Sequence, residues 1–258
     1  MKLYLKYAAI NLKSQMQYKF TFITGIFSRI VLSFTSVLAV LFIFTRFNEV
    51  EGFTLSQTLL CFSVVSMAFS LTEVFARGFD IMPRMLGNGE FDRALVRPRG
   101  IIFQVLASHM EFARLSIFVS AIAVLCYAIP NSGVSWTWDK IVTLMLMIVC
   151  GAAVFFGLFI IYAAFSFFTV EGLEFMNILT HGGKEFGRYP FSIYGRGILR
   201  FVTYVIPLAL VQYYPLLYLL DRERGALYML APLFSLLFLL PSYAFFRAGL
   251  RKYKSTGS

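Results

Sequence analysis

The sequence predicts an all-α integral membrane protein with six transmembrane helices. Three observations carry that prediction. The chain is 59% hydrophobic and only 14% charged, where soluble domains are roughly 25% charged. Its apolar residues fall in runs long enough to cross about 30 Å of hydrocarbon, a distance that takes about 20 helical residues. Its basic residues gather in alternate connections between those runs, as the cytoplasmic face of a membrane collects them.

The elements follow in order, all within one transmembrane domain, residues 1–258. Residues 1–20 carry Lys2, Lys6 and Lys13 within about 40° of one another on a helical wheel, with Leu3, Tyr4, Tyr7 and Ala8 towards the other side. They read as an interfacial helix, the alternative being an unstructured basic leader. Spans are expected at 21–45, 55–76, 111–129, 140–168, 201–220 and 226–246, the third extending back towards Ile101. The first run begins near Phe20 and no small-residue cleavage site follows it, so a cleavable signal peptide is not expected.

Orientation comes from the connections. Lys2, Lys6, Lys13 and Lys19 precede span 1; Arg77, Arg84, Arg93, Arg97 and Arg99 follow span 2. Lys184, Arg188, Arg196 and Arg200 follow span 4, and Arg247, Arg251, Lys252 and Lys254 follow span 6. The remaining connections hold only Arg46, Lys140, Arg222 and Arg224. Both termini are therefore expected in the cytoplasm, and an even number of spans agrees. The formal charge of +10 reads as topology rather than as affinity for nucleic acid.

Catalytic and metal classes find little support. Cys61, Cys126 and Cys150 lie inside apolar runs and read as small buried hydrophobes. His109 and His181 are the only histidines, leaving no zinc ligand set and no general base with an identifiable carboxylate partner. A phosphate-binding G-x-x-x-x-G-K-[ST] motif does not occur, and Gly182-Gly183-Lys184 has neither its spacing nor its hydroxyl. A process that uses energy must borrow it from another chain.

The stretch GNGEFDRALVRPRG, residues 87–100, concentrates three arginines and two carboxylates in one place. Gly87, Asn88 and Gly89 predict a turn, with Asn88 capping a short helix whose first turn holds Glu90 and Asp92. Pro98 stops that helix, because the residue before a proline is pushed out of the α region. Phe91 and Leu95 stand four apart beside Ala94, making a small apolar face rimmed by Glu90, Asp92, Arg93 and Arg97. Two readings fit this layout: a docking surface with an apolar centre and charged rim, or a solvated loop whose arginines hold anionic lipid.

Here the sequence resembles a family. Gly89, Glu90, Phe91, Asp92, Leu95, Arg97 and Pro98 match a G-E-F-D-x-x-L-x-R-P stretch between spans 2 and 3. Tyr189, Pro190, Tyr194, Pro207, Tyr214 and Pro215 match a later Y-P-x-x-x-Y…P pattern. With six spans and an N-terminal amphipathic helix, the whole chain is similar to the membrane subunits of type-2 ATP-binding-cassette exporters, in particular a compact six-span bacterial branch of ABC-2-like permeases.

The resemblance implies a coupling helix within residues 78–100, seated in a groove of a separate ATPase subunit. Glu90, Phe91, Asp92, Arg93, Leu95 and Arg97 would be its docking residues, with Phe91 and Leu95 as the apolar plug. It implies two permease chains, identical or related, in the bacterial cytoplasmic membrane. ATP and Mg would belong to the ATPase, with no cofactor bound by this chain.

Charges also fall inside the spans. Arg29, Glu73, Glu111 and Arg114 are expected at similar depth near the inner leaflet, and ionisable residues in spans are functional candidates by default. One reading is an ion-pair network at the inner mouth of the pathway. The other is a set of hydrated charges with Arg29 snorkelling to the headgroups and Glu73 pairing with Arg77 along one helix.

Two stretches remain. Glu171 to Leu179 is expected to extend span 4 as a helix ended by Gly182-Gly183, after which Tyr189, Tyr194 and Arg196 suit an interface, serving either as a lipid anchor or as a second ATPase contact. Pro207 and Pro215 interrupt span 5 and read as a kink; the resemblance implies instead a re-entrant turn at Gln212-Tyr213-Tyr214-Pro215 near the outer face, capped by Asp221 to Gly225. An amphipathic or hydrophobic organic substrate is expected, because few charges fall at mid-membrane. The competing class is an ATPase-independent protein, such as a secondary transporter or channel subunit.

Overall fold

The computed structural model describes residues 2–169 and 174–253. Among them no strand forms, and the chain is a helical bundle: α1 (Lys2–Gln17), α2 (Lys19–Arg46), α3 (Leu55–Asp80), α4 (Met82–Gly87), α5 (Glu90–Leu95), α6 (Ile101–Ser108) and α7 (Leu115–Asn131). Then follow α8 (Trp138–Phe165), α9 (Glu174–Gly187), α10 (Gly195–Tyr204), α11 (Leu208–Val211), α12 (Tyr213–Leu219), α13 (Ala226–Ser235) and α14 (Leu239–Lys252). Lys254 and residues 171–173 of the expected extension of span 4 lie outside the described residues.

Five helices are long and apolar enough to cross a membrane: α2, α3 with α4, α7 with the turn before it, α8, and α13 with α14. The fold is all-α and multi-pass. At the centre, α3 packs along both α7 and α8, and α14 covers the other side of α8. Nearly every residue of α3 from Thr58 to Phe79 is buried, whereas α2 turns Phe20, Phe27, Phe34 and Phe42 outward. An apolar helix left open on its outer side is what lipid or another apolar chain accepts. Cys126 departs from expectation, for it sits on the exposed side of α7 while Cys61 and Cys150 are buried.

Both described ends of the chain meet residues 82–108. Tyr4 and Tyr7 of α1 pack on the Phe103 ring of α6, and Asn11 donates to the Ala107 carbonyl. Tyr253 packs edge-on against Phe91 of α5. This end, rich in arginine, is the basic end; the opposite end carries Asp139 and Asp221.

The far end is fixed by caps. Thr54 and Gln57 form a capping box at the start of α3. After α12, Asp221 takes a left-handed conformation, φ 55°, and the Asp221 and Arg222 N–H groups reach back to the Tyr218 and Leu217 carbonyls at 3.1 and 3.0 Å. That is the Schellman pattern, and it leaves the Asp221 carboxylate to accept from Lys140 Nζ at 2.7 Å.

The fifth crossing is where expectation and structure part most. A continuous helix over 201–220 does not form; the expected span is divided into helical pieces bent by 91°, the geometry of a broken span or of a re-entrant loop. Beginning beside the basic end of α8, where Phe175 touches Phe165, α9 climbs past His181 on Phe69 until Gly187 lies against Val65. Val65 is ten residues into α3, about 15 Å from its start at a helical rise of 1.5 Å. The chain then turns through residues 191–194 into α10, bends by 91° and rises through α11 and α12, until Tyr218 donates to Asp139 at the far end at 2.6 Å.

Gly182-Gly183 therefore does not end α9. The helix runs through it because Gly183 and Gly187 let it approach closely: a Cβ there would press on Leu208 and on Val65. The two prolines take different roles. Pro207 is the N-cap of α11 and Pro215 lies in the first turn of α12, where a missing N–H costs no intrahelical bond. The 91° break falls at residues 205–207, so span 5 is interrupted at Pro207 as expected, while Pro215 adds no further kink. Tyr214 spans the bend, its hydroxyl 3.2 Å from that of Thr203.

Span 3 does not extend back to Ile101. The chain is extended at His109, and a 3-10 turn over Phe112–Arg114 starts α7. Gln15 of α1 bridges the break, donating to the Met110 carbonyl and accepting from the Phe112 N–H.

Candidate functional site: the 82–108 segment and a charged partition

Residues 82–108 form a small rigid unit at the basic end. Gly89, at φ 69°, is the N-cap of α5, so the capping role expected of Asn88 falls to a glycine that can adopt the left-handed turn; Asn88 instead closes α4. Gln104 of α6 donates to the carbonyls of Ala94 and Arg99 at 2.9 and 2.8 Å, tying α5 and the 96–99 turn to α6. In turn α6 crosses α3 at Gly78, where a Cβ would overlap the Val105 carbonyl.

Within this unit Phe91 points inward. It is fully buried, its ring 5.4 Å from Phe167 and 5.2 Å from Tyr253, and Asp92 accepts from the Tyr253 hydroxyl at 2.9 Å. A ring with no exposed surface holds the helix to its own bundle, so Phe91 is not the apolar plug. Leu95 and Val96 are the exposed apolar residues, 41% and 84% accessible, and Glu90, Arg93 and Arg97 are exposed beside them.

Behind this unit the four charges expected at one depth are brought together. Arg29 pairs with Glu111, and Arg114 pairs with Glu73. Arg114 Nε also donates to Glu111 Oε2 at 2.7 Å, so the four form one connected chain. Arg77 joins it at 3.4 Å from Glu111 and pairs with Asp80 rather than with Glu73. Glu73 has no exposed surface, and its Oε2 has no partner among the described residues. Such a pair lies between favourable attraction and costly desolvation, and leaving one partner alone is what costs most.

Arg114 also stands between two cavities. On the basic side is a vestibule of about 630 Å³ lined by Arg77, Asp80, Arg84, Arg114, Asn177 and His181. On the other is a crevice of about 540 Å³ between α2, α7 and α9, lined by Arg29, Ser66, Arg114, Lys184, Glu185 and Arg188 among others. The Glu73–Arg114–Glu111–Arg29 chain thus meets both cavities at Arg114, a charged partition at that point.

Compared with known families, residues 30–257 match the family model described as ABC-2 family transporter protein. The chain belongs to the ABC-2 transporter family. It is a multi-pass membrane permease of an ATP-binding-cassette transporter, a transport subunit rather than a catalytic one. No curated protein and no solved structure matches it. The matched region of this ABC-2 permease takes in residues 82–108, the partition except Arg29, and all of α9 to α12.

Sequence reasoning missed Lys184 and Arg188 as members of the bundle interior, having left them in a connection. Lys184 Nζ lies 5.1 Å from the Phe69 ring centre and Arg188 Cζ 5.1 Å from that of Phe62, both on α3. The available signal was a shared four-residue spacing: Gly183 with Gly187, and Lys184 with Arg188, mark one helix with a close-packing edge and a cationic edge.

Proposed function

We propose that this permease belongs to an exporter of the bacterial cytoplasmic membrane, with both termini cytoplasmic. Two permease chains, identical or related, would stand with ATPase subunits that hold ATP and Mg. The cargo is an amphipathic or hydrophobic organic compound. The ATPase docks on α5 through Glu90, Arg93, Leu95, Val96 and Arg97, while Phe91 and Asp92 hold α5 to the bundle. One observation carries this reading: a rigid, exposed, charged helix projects from the end where basic residues gather, and its inner face is locked to the bundle by Phe91.

The same geometry supplies a lever. Movement of α5 passes through Gln104 to α6, then across the Gly78 contact to α3 and through the His109–Glu111 break to the partition. The Glu111 N–H bonds to the Val74 carbonyl at 3.2 Å, so a shift at the break acts on Glu111 itself. Glu111 already touches Arg29, Arg77 and Arg114, and an exchange among these partners joins or separates vestibule and crevice. A bistable element of this kind responds to ATP only if docking contacts differ between its two states.

The test is co-purification with the ATPase after co-expression. Leu95→Asp with Arg93→Glu is expected to abolish association while the permease keeps its melting temperature. Full association by that variant would sink the docking assignment.

A further inference from the structure

We infer that the crevice between α2, α7 and α9 receives an anionic head group, a phosphate or carboxylate, carried on the apolar body of the transported compound. This rests on the permease reading above and narrows its substrate class.

The charges on the wall are uneven. Arg29, Arg114, Lys184 and Arg188 line the crevice, against a single lining carboxylate, Glu185. Arg29 and Arg114 are engaged by Glu111 and Glu73. Among the described residues Lys184 and Arg188 pair with Glu185, and that carboxylate is 54% exposed while the two cations are 17% and 12% exposed. Two sheltered cations with one outward-facing counter-charge leave a positive surplus on the crevice side. The Phe69 and Phe62 rings hold both cations in place by cation–π contact.

The hydrogen-bonding inventory has the same sign. Ser28, Thr35 and Ser36 spend their hydroxyl protons on carbonyls of their own helix. Ser66, 2% exposed, has no partner for Oγ among the described residues, and neither has Arg188 Nε. Both residues line the crevice, with these two donor atoms buried in its wall and the charge of Arg188 beside it, a setting complementary to an acceptor-rich anion. A cationic ligand would meet repulsion there.

An apolar surface adjoins the crevice. Ser33 lines it and also lines a groove of about 460 Å³ walled by Ile30, Phe34, Val37, Leu41 and Val124. The irregular backbone at residues 188–194 lies at the depth of Phe62 and Val65; backbone of that kind persists at membrane depth only where protein buries it or water reaches it. A cationic recess beside an apolar groove suits a molecule with an acidic head and an apolar body.

The test uses the full chain, co-purified with its ATPase in discs of neutral lipid, and measures binding of radiolabelled dodecyl phosphate. Saturable binding is expected, weakened about tenfold or more in Lys184→Gln/Arg188→Gln, as loss of one charge-assisted hydrogen bond predicts. Glu185→Gln is expected to bind more tightly, and dodecyltrimethylammonium not to compete. Unchanged binding in both variants, or equal competition by the cation, would overturn the inference. Competition by inorganic phosphate as strong as by unlabelled dodecyl phosphate would reassign the crevice to a free anion and overturn the amphiphile. ATPase retained without binding defeats the crevice alone; binding without ATPase association defeats the permease complex instead.

Discussion

The Val105 carbonyl oxygen of α6 occupies the space that any side chain at Gly78 of α3 would need. Because backbone rather than a pliable side chain stands there, α6 must move if Gly78 gains even a methyl group. Gly78→Ala is therefore expected to lower stability by about 1–3 kcal/mol and to shift the docking segment. Cross-linking of a cysteine pair placed at Ala107 and Asn11 reports the shift: unchanged efficiency with an unchanged melting temperature would contradict it.

Phe91 and Leu95 separate two roles that their spacing combined. Phe91→Ala empties a closed aromatic cluster and is expected to cost about 3–5 kcal/mol, whereas Leu95→Ala, at an exposed position, stays within about 0.5 kcal/mol. Thermal denaturation in detergent distinguishes them, and similar melting temperatures would refute the inward placement of Phe91.

The partition makes a pairwise prediction. Glu73 meets Arg114, not Arg29, so Glu73→Gln alone is expected to destabilise by about 1–3 kcal/mol, because Arg114 loses one of its two carboxylate partners and keeps only Glu111. Arg114→Met combined with Glu73→Met is expected to recover most of that loss. Additive losses in the double variant would argue that the two side chains act independently.

Acid sensitivity follows from the far end. The hydrogen bond from Lys140 holds the Asp221 carboxyl below the usual carboxylate range, and the charges of Lys140 and Arg224 and the Ser135 hydroxyl act in the same direction. A depressed folded-state pKa contributes stability that is present above the unfolded value, about 3.9, and is lost as pH falls through the folded one. Melting temperatures from pH 5 to 3 are expected to fall more steeply in the wild type than in Lys140→Gln. Parallel curves would remove Asp221 as the cause.

What could be read in the sequence were features written in local pattern. The five long crossings follow from runs of apolar residues, and the short helix after span 2 follows from Gly89 and Pro98. The grouping of Arg29, Glu73, Glu111 and Arg114 followed from counting turns to a common depth. The broken crossing was not legible because α9 has no continuous apolar run: Lys184 and Arg188 hide its depth, which only packing against Val65 and Phe69 reveals. Likewise, a helical wheel places Phe91 and Leu95 on one face, yet which side of that face meets the bundle depends on Phe167 and Tyr253, far along the chain.

That distance has a consequence for synthesis. The docking segment leaves the ribosome with α1 already made, but its second clamp, Tyr253, is separated from Asp92 by 161 positions. Since chains are made from the N-terminus onward at about 5–20 residues per second, α5 waits roughly ten seconds or longer for the ring that seals Phe91. Until then Phe91 lacks one of the two rings that close over it, so the seating of α5 is completed only with the last helix.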